Sequence, residues 1–332
     1  MKSNPMINSF RFLAILTFVI LHAVPGHGQQ LIPQPSELAY AEGRFTITPE
    51  TVIVPHESDD LAGYLNDHIE RVCGFRLRTV PHTPETNYIS LRRGEHLGNE
   101  AYTLSIEPEH IIIRGGDRGG VFYGLQTLFQ LMPPEVYGQS VASAPQPLTL
   151  DAVSVKDGPR YAYRGAMLDC CRHFFTVEEV KSFIDMMFLH KLNTFHWHLT
   201  DDQGWRIEIR KYPLLTQIGS MRKETLIGHI QKSKEYDGTP YGGYYTQDEI
   251  REVVRYAADR GIRIIPEIEV PGHASASILA YPWIGSTSRR EGKAVTGDLY
   301  DVTDPKVEAF LHDILDEVIG LFPSKIVHIG GD

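Results

Sequence analysis

From about residue 160 onward, short apolar strands alternate with helices whose ends are written into the sequence, and this alternation constrains the fold more than any other feature. Residues 164–169 form an apolar strand ending in an acid. Thr176-Val-Glu-Glu179 has the form of a capping box, in which the Thr oxygen accepts from the backbone N–H three residues on and the Glu reaches back. It opens a helix with Val180, Phe183, Ile184 and Met187 on one face. Residues 192–199 make the next strand. Thr246-Gln-Asp-Glu249 repeats the box and opens a helix that turns Ile250, Val253, Val254 and Ala257 inward. Gly261 ends that helix, and residues 262–268 make a third strand. Asp304-Pro305 is an N-cap followed by proline at the first helical position. The helix it starts carries Val307, Phe310, Leu311, Ile314, Leu315 and Val318, Pro323 closes it, and residues 325–329 make a fourth strand.

Four successive β-α units with apolar strands call for a parallel sheet with crossover helices. A doubly wound sheet and a (β/α)8 barrel share that pattern, and the acids separate them. Asp169, Asp201, Asp202, Glu267 and Asp332 each lie at or just past the C-terminal end of a strand. Barrel enzymes carry their chemistry on that face. A doubly wound sheet would gather polar groups at one switch point behind a glycine-rich first turn, whereas Gly165 stands alone. Residues 29–150 form a separate unit. It has β-rich runs at 51–54, 101–106 and 110–114, a helical period over 120–132 stopped by Pro133-Pro134, and a Ser-, Ala- and Pro-rich linker over 137–150. The expected fold class is α/β: a small α+β N-terminal domain (29–150) followed by the first half of a TIM barrel (151–332), incomplete at four β-α units.

Residues 1–28 read differently. Lys2 and Arg11 precede an apolar run over 12–24, short of the ~20 residues that span a bilayer, and Gly26 and Gly28 put small residues before Gln29. This has the form of a secretory signal peptide, so export to the periplasm or the medium is expected. Three cysteines, Cys73, Cys170 and Cys171, are too few and too odd in number for a disulfide framework. The adjacent pair reads as small buried apolar residues. A net charge of −10 disfavours nucleic acid and anionic membrane surfaces as partners.

The densest chemistry is His196-Trp-His-Leu-Thr-Asp201-Asp202-Gln-Gly-Trp205-Arg206. Alternation along the strand sets His196 and His198 on one face and Trp197 on the other. Acids beside aromatics suit a sugar, whose apolar faces stack on Trp and whose hydroxyls need charged partners. His198, Asp202, Trp205 and Glu267 are therefore candidate substrate contacts. Arg172, past the first strand, can fork onto two hydroxyls or onto a carboxylate such as Asp201. Pro266-Glu-Ile-Glu-Val-Pro-Gly-His273 fixes a tight path that holds His273 over the mouth. His328-Ile-Gly-Gly-Asp332 ends a strand with two glycines that permit close backbone approach, then an acid.

Taken together, these elements resemble the catalytic domain of glycoside hydrolase family 20, the β-N-acetylhexosaminidases. The matching motifs are Arg-Gly-x-Met-Leu-Asp169-x-x-Arg172-His-Phe, HWHLTDDQGWR, PEIEVPGH and HIGGD, and GDRGGVFYGLQTLFQL resembles part of the small domain that precedes that barrel. The resemblance implies that Arg172 binds hydroxyls of a terminal N-acetylglucosamine or N-acetylgalactosamine. It implies that Asp201 and His273 form a relay that tunes the acid, and that Asp332 holds the N–H of the 2-acetamido group. The acetamido oxygen would be the nucleophile, with net retention and no metal or cofactor. The family carries its general acid, a Glu, directly after this Asp. The sequence ends at Asp332, so residues 1–332 by themselves are expected to be inactive. Two other readings stay open from the residues alone. His196, His198, His273 and Asp332 could bind Zn²⁺ in a metal-dependent hydrolase, or the chain could bind sugar without cleaving it.

Overall fold

A seven-stranded mixed sheet and a four-stranded parallel sheet organise the chain. The computed structural model describes residues 31–332 except 57–58, 230, 287–288, 291–292 and 295–296; the expected signal peptide lies outside the described residues. The first sheet is built from β1 (Glu37–Ile47), β2 (Val52–Val54), β3 (Arg78–Thr79), β4 (Tyr88–Arg93), β5 (Tyr102–Glu107), β6 (His110–Gly115) and β7 (Leu148–Asp157), in the order β1-β7-β5-β6-β4-β2-β3. Helices α1 (Asp59–Cys73) and α2 (Arg118–Gln130) belong to the same domain. Asp117 caps α2 by accepting from Gly120 N at 2.8 Å, and most of that helix is buried.

The expected boundary at residue 150 falls inside β7, which pairs antiparallel with both β1 and β5. The linker therefore stops at 147 and the small domain runs to Asp157. The cause is visible in the side chains: Leu148, Leu150, Val153 and Val155 are buried while Thr149, Asp151, Ser154 and Lys156 are exposed. That is the near-alternation of a half-buried strand, interrupted only at Ala152.

The second sheet has the order β11-β10-β9-β8, all parallel, from β8 (Gly165–Asp169), β9 (Thr194–His198), β10 (Arg263–Val270) and β11 (His328–Gly330). Helices α3 (Val177–Leu189), α4 (Gln247–Asp259) and α5 (Pro305–Leu321) join them. Both capping boxes form as the sequence indicates, with Thr176 and Thr246 accepting from Glu179 N and Glu249 N. Asp304 caps α5 through Lys306 N. The buried faces of the helices are Val180, Ile184 and Met187; Ile250, Val253 and Ala257; and Val307, Phe310, Ile314 and Val318. Cys170 and Cys171 are buried free thiols, and burial pushes both pKa values up. No helix among the described residues is long and apolar enough to cross a membrane.

The two domains meet through charged groups on the N-terminal side of the barrel strands. Arg164 Nη1 and Nη2 both reach Glu100 at 3.1 Å. Lys191, directly after the capped end of α3, holds φ +60 and sends Nζ to Tyr102 Oη at 2.7 Å and Asp157 Oδ2 at 3.2 Å.

Candidate active site

Strand register brings the polar groups to one level. Asp169 pairs with His198, His198 with Glu267, and Glu267 with His328 across four neighbouring strands. Within β9 the pleat turns His196 and His198 toward Glu267, with His196 Nε2 at 2.7 Å from its carboxylate and His198 Nδ1 at 3.7 Å. Trp197 points the other way, where its indole N–H donates to Cys170 Sγ and its ring packs near Tyr245. His328 Nδ1, which accepts from the Gly330 N–H, lies 2.8 Å from Glu267 Oε1. Burial opposes ionisation of Glu267, but His196, His198 and His328 outweigh that and hold its pKa below the ordinary glutamate value.

At the C-terminal ends of these strands, charged groups form an unbroken line. Asp169 Oδ1 accepts from the backbone N–H of Cys171 and Arg172, and Arg172 Nη1 donates to Asp169 Oδ2 at 2.9 Å. The other terminal nitrogen of Arg172 stands 2.7 Å from Asp201 Oδ2, and its Nε donates to Gln203. Asp201 is fully buried. Burial pushes its pKa up, against the lowering effect of the Asp202 N–H, Arg172 and His273. His273 Nδ1 lies 3.0 Å from Asp202 Oδ2 and 3.3 Å from Asp201 Oδ1. Facing two carboxylates, that nitrogen must carry a hydrogen. On the opposite side of the ring, Nε2 lies 3.4 Å from Asp332 Oδ2. Partial burial works against the imidazolium, yet Asp201, Asp202 and Asp332 together raise the His273 pKa above its usual value. His273 occupies φ +50, a region few non-glycine residues adopt, so the turn aims this ring at a backbone cost.

Several expected sugar contacts take other places. Trp205 is 2% exposed, and its indole N–H donates to Ile207 O at 2.7 Å. The short hairpin of Thr200–Asp201 with Gly204–Trp205 turns it into the core, so it offers no open ring face. His198 and Glu267 are also buried beneath the mouth, where they hold other side chains. Asp202 accepts from Ser275 N and Ser275 Oγ as well as from His273. The hydrogen-bonded partner of His273 is thus Asp202, with Asp201 behind it, and not Asp201 alone. Arg206, read only as part of a motif, is a buried hub that donates to the carbonyls of Cys170, Cys171, Gln203, Ser220 and Gly243. Glu269 was not singled out from the sequence. It lies beside His198 with Oε1 at 3.2 Å from Nε2, and it shares the inward face with Glu267 two residues earlier.

Metal-binding side chains do cluster among the described residues, for example His196 with Glu267 and His328, and Asp201 with Asp202 and His273. The set expected for a metal-dependent hydrolase is not among these clusters. His196 turns to Glu267 and His198 to Thr200 O, while His273 turns to Asp202 and Asp332.

Comparison with known proteins identifies the family. The description "Glycosyl hydrolase family 20, catalytic domain" matches residues 161–332, and the family's domain 2 matches residues 28–158. A β-hexosaminidase of Porphyromonas gingivalis is 41% identical over 314 residues, which cover 92% of this chain and 39% of that protein. One from Vibrio furnissii is 37% identical, covering 91% and 48%. Among solved structures, the family 20 exo-β-N-acetylglucosaminidase of Vibrio harveyi in complex with N-acetylglucosamine superposes with a TM-score of 0.77 at 35% identity, over 92% of this chain and 47% of that one. The β-N-acetylhexosaminidase of Bacteroides fragilis gives 0.73 at 32% identity, over 92% and 57%. The chain spans less than half the length of either sequence relative. With a small domain ahead of a TIM-barrel-type catalytic domain, the chain belongs to glycosyl hydrolase family 20.

Proposed function

We propose that this chain contributes the small domain and the first four β-α units of the barrel to a β-N-acetylhexosaminidase. The enzyme would release terminal non-reducing N-acetyl-D-hexosamine, N-acetylglucosamine or N-acetylgalactosamine, from β-linked glycans such as chitooligosaccharides and glycoconjugates. The observation that carries this reading is the continuous line Asp169–Arg172–Asp201–His273–Asp332 across the mouth. Arg172 is anchored from behind by Asp169, Asp201 and Gln203, which leaves the second hydrogen of each terminal nitrogen for sugar hydroxyls. Asp332 is three-quarters exposed at the mouth. A carboxylate there can accept from the acetamido N–H, turn the amide oxygen toward the anomeric carbon, and offset positive charge growing on the nitrogen. His273, whose pKa its acidic neighbours raise, stands with Nε2 3.4 Å from Asp332 Oδ2 and steadies that side chain. The acetamido oxygen would attack the anomeric carbon as the bond to the glycosidic oxygen breaks, giving a cyclic oxazolinium ion; the departing oxygen would take its proton from the general acid that the family carries directly after this Asp, and water would open the ring with net retention. Support for the substrate class comes from relatives: one in Vibrio harveyi is described as an N,N'-diacetylchitobiase, and a structural neighbour was solved with N-acetylglucosamine.

The test is turnover of a chromogenic N-acetylglucosaminide by a protein carrying these residues and extended to the length of its relatives. A thiazoline that mimics the cyclic intermediate should inhibit it strongly. Absence of turnover, or turnover indifferent to the thiazoline, contradicts the reading. Export is part of the same proposal, supported by the charged start, short apolar run and small residues of the first 28 positions. Sequencing of the mature protein should find Gln29 first; a protein still beginning at Met1 rejects it.

A further inference from the structure

Glu269 is a carboxyl in an unusual position. It lies on β10, 5% exposed, with its backbone N–H donating to Thr200 Oγ1 at 2.9 Å. Its Oε1 faces His198, and its Oε2 is buried without a hydrogen-bond partner. Directly against Oε2 runs the backbone of Gly330, at φ +67, where an added Cβ would collide with the Glu269 carboxyl group. The next strand end is pinned from a second side. A Cβ on Gly272, in the turn that carries His273, would strike the carbonyl oxygen of Asp332. The segment that presents Asp332 is therefore seated between the Glu269 side chain and the Gly272 backbone.

We propose that Glu269 is a positioning residue of the hydrolytic site: its side chain fills the space under Gly330 and so sets where Asp332 stands. The inference rests on the hydrolase reading for its consequence, but not for its geometry. Protonation fits the role. Burial, and then the charges of Glu267, Asp201 and Asp332, push the Glu269 pKa up to about 7. In mildly acid solution the group is a neutral filler that adds no fourth negative charge beside Asp332. Gln has the same shape and is always neutral; Ala is neutral and leaves a hole.

The experiment compares Glu269→Gln, Glu269→Ala, Gly330→Ala and the Glu269→Ala/Gly330→Ala double variant in a protein extended to the length of its relatives. A misplacement of ~1 Å at a reacting group can cost about 10²-fold in rate. Glu269→Ala should therefore lower kcat on an N-acetylglucosaminide by about that factor with little change in KM, because Arg172 is untouched. Glu269→Gln should lose far less at acid pH. Gly330→Ala should be severely impaired, and the double variant should recover part of the loss because the methyl enters the vacated space. A second readout does not need turnover: the His273 imidazole titration by NMR. Asp332 helps to raise that pKa, so it should fall in Glu269→Ala and stay higher in Glu269→Gln. Equal effects of Gln and Ala on both readouts, or no effect of Ala, overturn the proposal. If the unmodified protein shows no turnover while the NMR pattern holds, the positioning role stands and the hydrolase reading falls.

Discussion

Arg172 reaches three acceptors at once, and one of them, Asp201, is fully buried. Removing the guanidinium strands that carboxylate, and a buried polar group left unsatisfied costs about 1–3 kcal/mol. Arg172→Ala is therefore expected to lower both turnover and the urea midpoint, and a variant as stable as the parent would show that Asp201 does not depend on it. Acid–base behaviour is also set residue by residue. The Glu269 carboxyl is raised from 4.5 to about 7, so the folded state holds more protons than the unfolded one in that window. Stability must then fall as pH rises through it. His273, also raised, acts in the same direction: its contribution is complete below 6.5 and is lost as pH climbs through its elevated value. Asp169 and Glu267 are lowered, so their contributions disappear only as pH falls through the depressed values. Denaturation midpoints should peak in mildly acid solution, and Glu269→Gln should flatten the decline between about pH 4.5 and 7. An unchanged slope in that variant contradicts the assignment.

The helices were legible because their signals are local. Thr246 meets Glu249 within one turn, and Thr246→Ala should cost about 1 kcal/mol, measured as a shift in urea midpoint without change in slope. The strands were legible where apolar runs end in acids. What stayed hidden depends on contacts between distant segments. Trp205 sits in a motif rich in site residues, but a two-residue hairpin decides which way it faces, and no periodicity reports that. Asp201 and Asp202 are neighbours, yet only Asp202 makes the aligned hydrogen bond to His273, a choice fixed by the Pro271–Gly272 turn 70 residues away. Glu269 could have been found by alternation from Glu267. The strand β7 could have been found from its near-alternating Leu and Val residues, had the Ser and Pro ahead of it not suggested a linker.

At the scale of the whole molecule, the small domain is tied to the barrel through paired charges at the seam. Lys191 is 7% exposed, and its ammonium meets Tyr102 and Asp157. Lys191→Met would take the cation from Asp157, which keeps its hydrogen bonds from Ser36 and Tyr102, and the expected loss is about 1 kcal/mol. Unfolding should remain a single transition seen equally by tryptophan fluorescence and far-ultraviolet circular dichroism, since all three Trp lie in the barrel half and a separate melting of the small domain would split the two signals. The central claim of the proposed function lies at the other end of the strands: Asp332 would act on the acetamido group of the substrate and would not itself be the nucleophile. The most direct measurement is kcat/KM for paired chromogenic substrates, N-acetylglucosaminide and glucosaminide, with Asp332 and with Asp332→Ala, in a protein extended to the length of its relatives. The account predicts a strong preference for the acetylated substrate that Asp332→Ala largely abolishes, with no sugar trapped on the protein. A preference that survives Asp332→Ala, or a glycosyl ester isolated on Asp332, would contradict it.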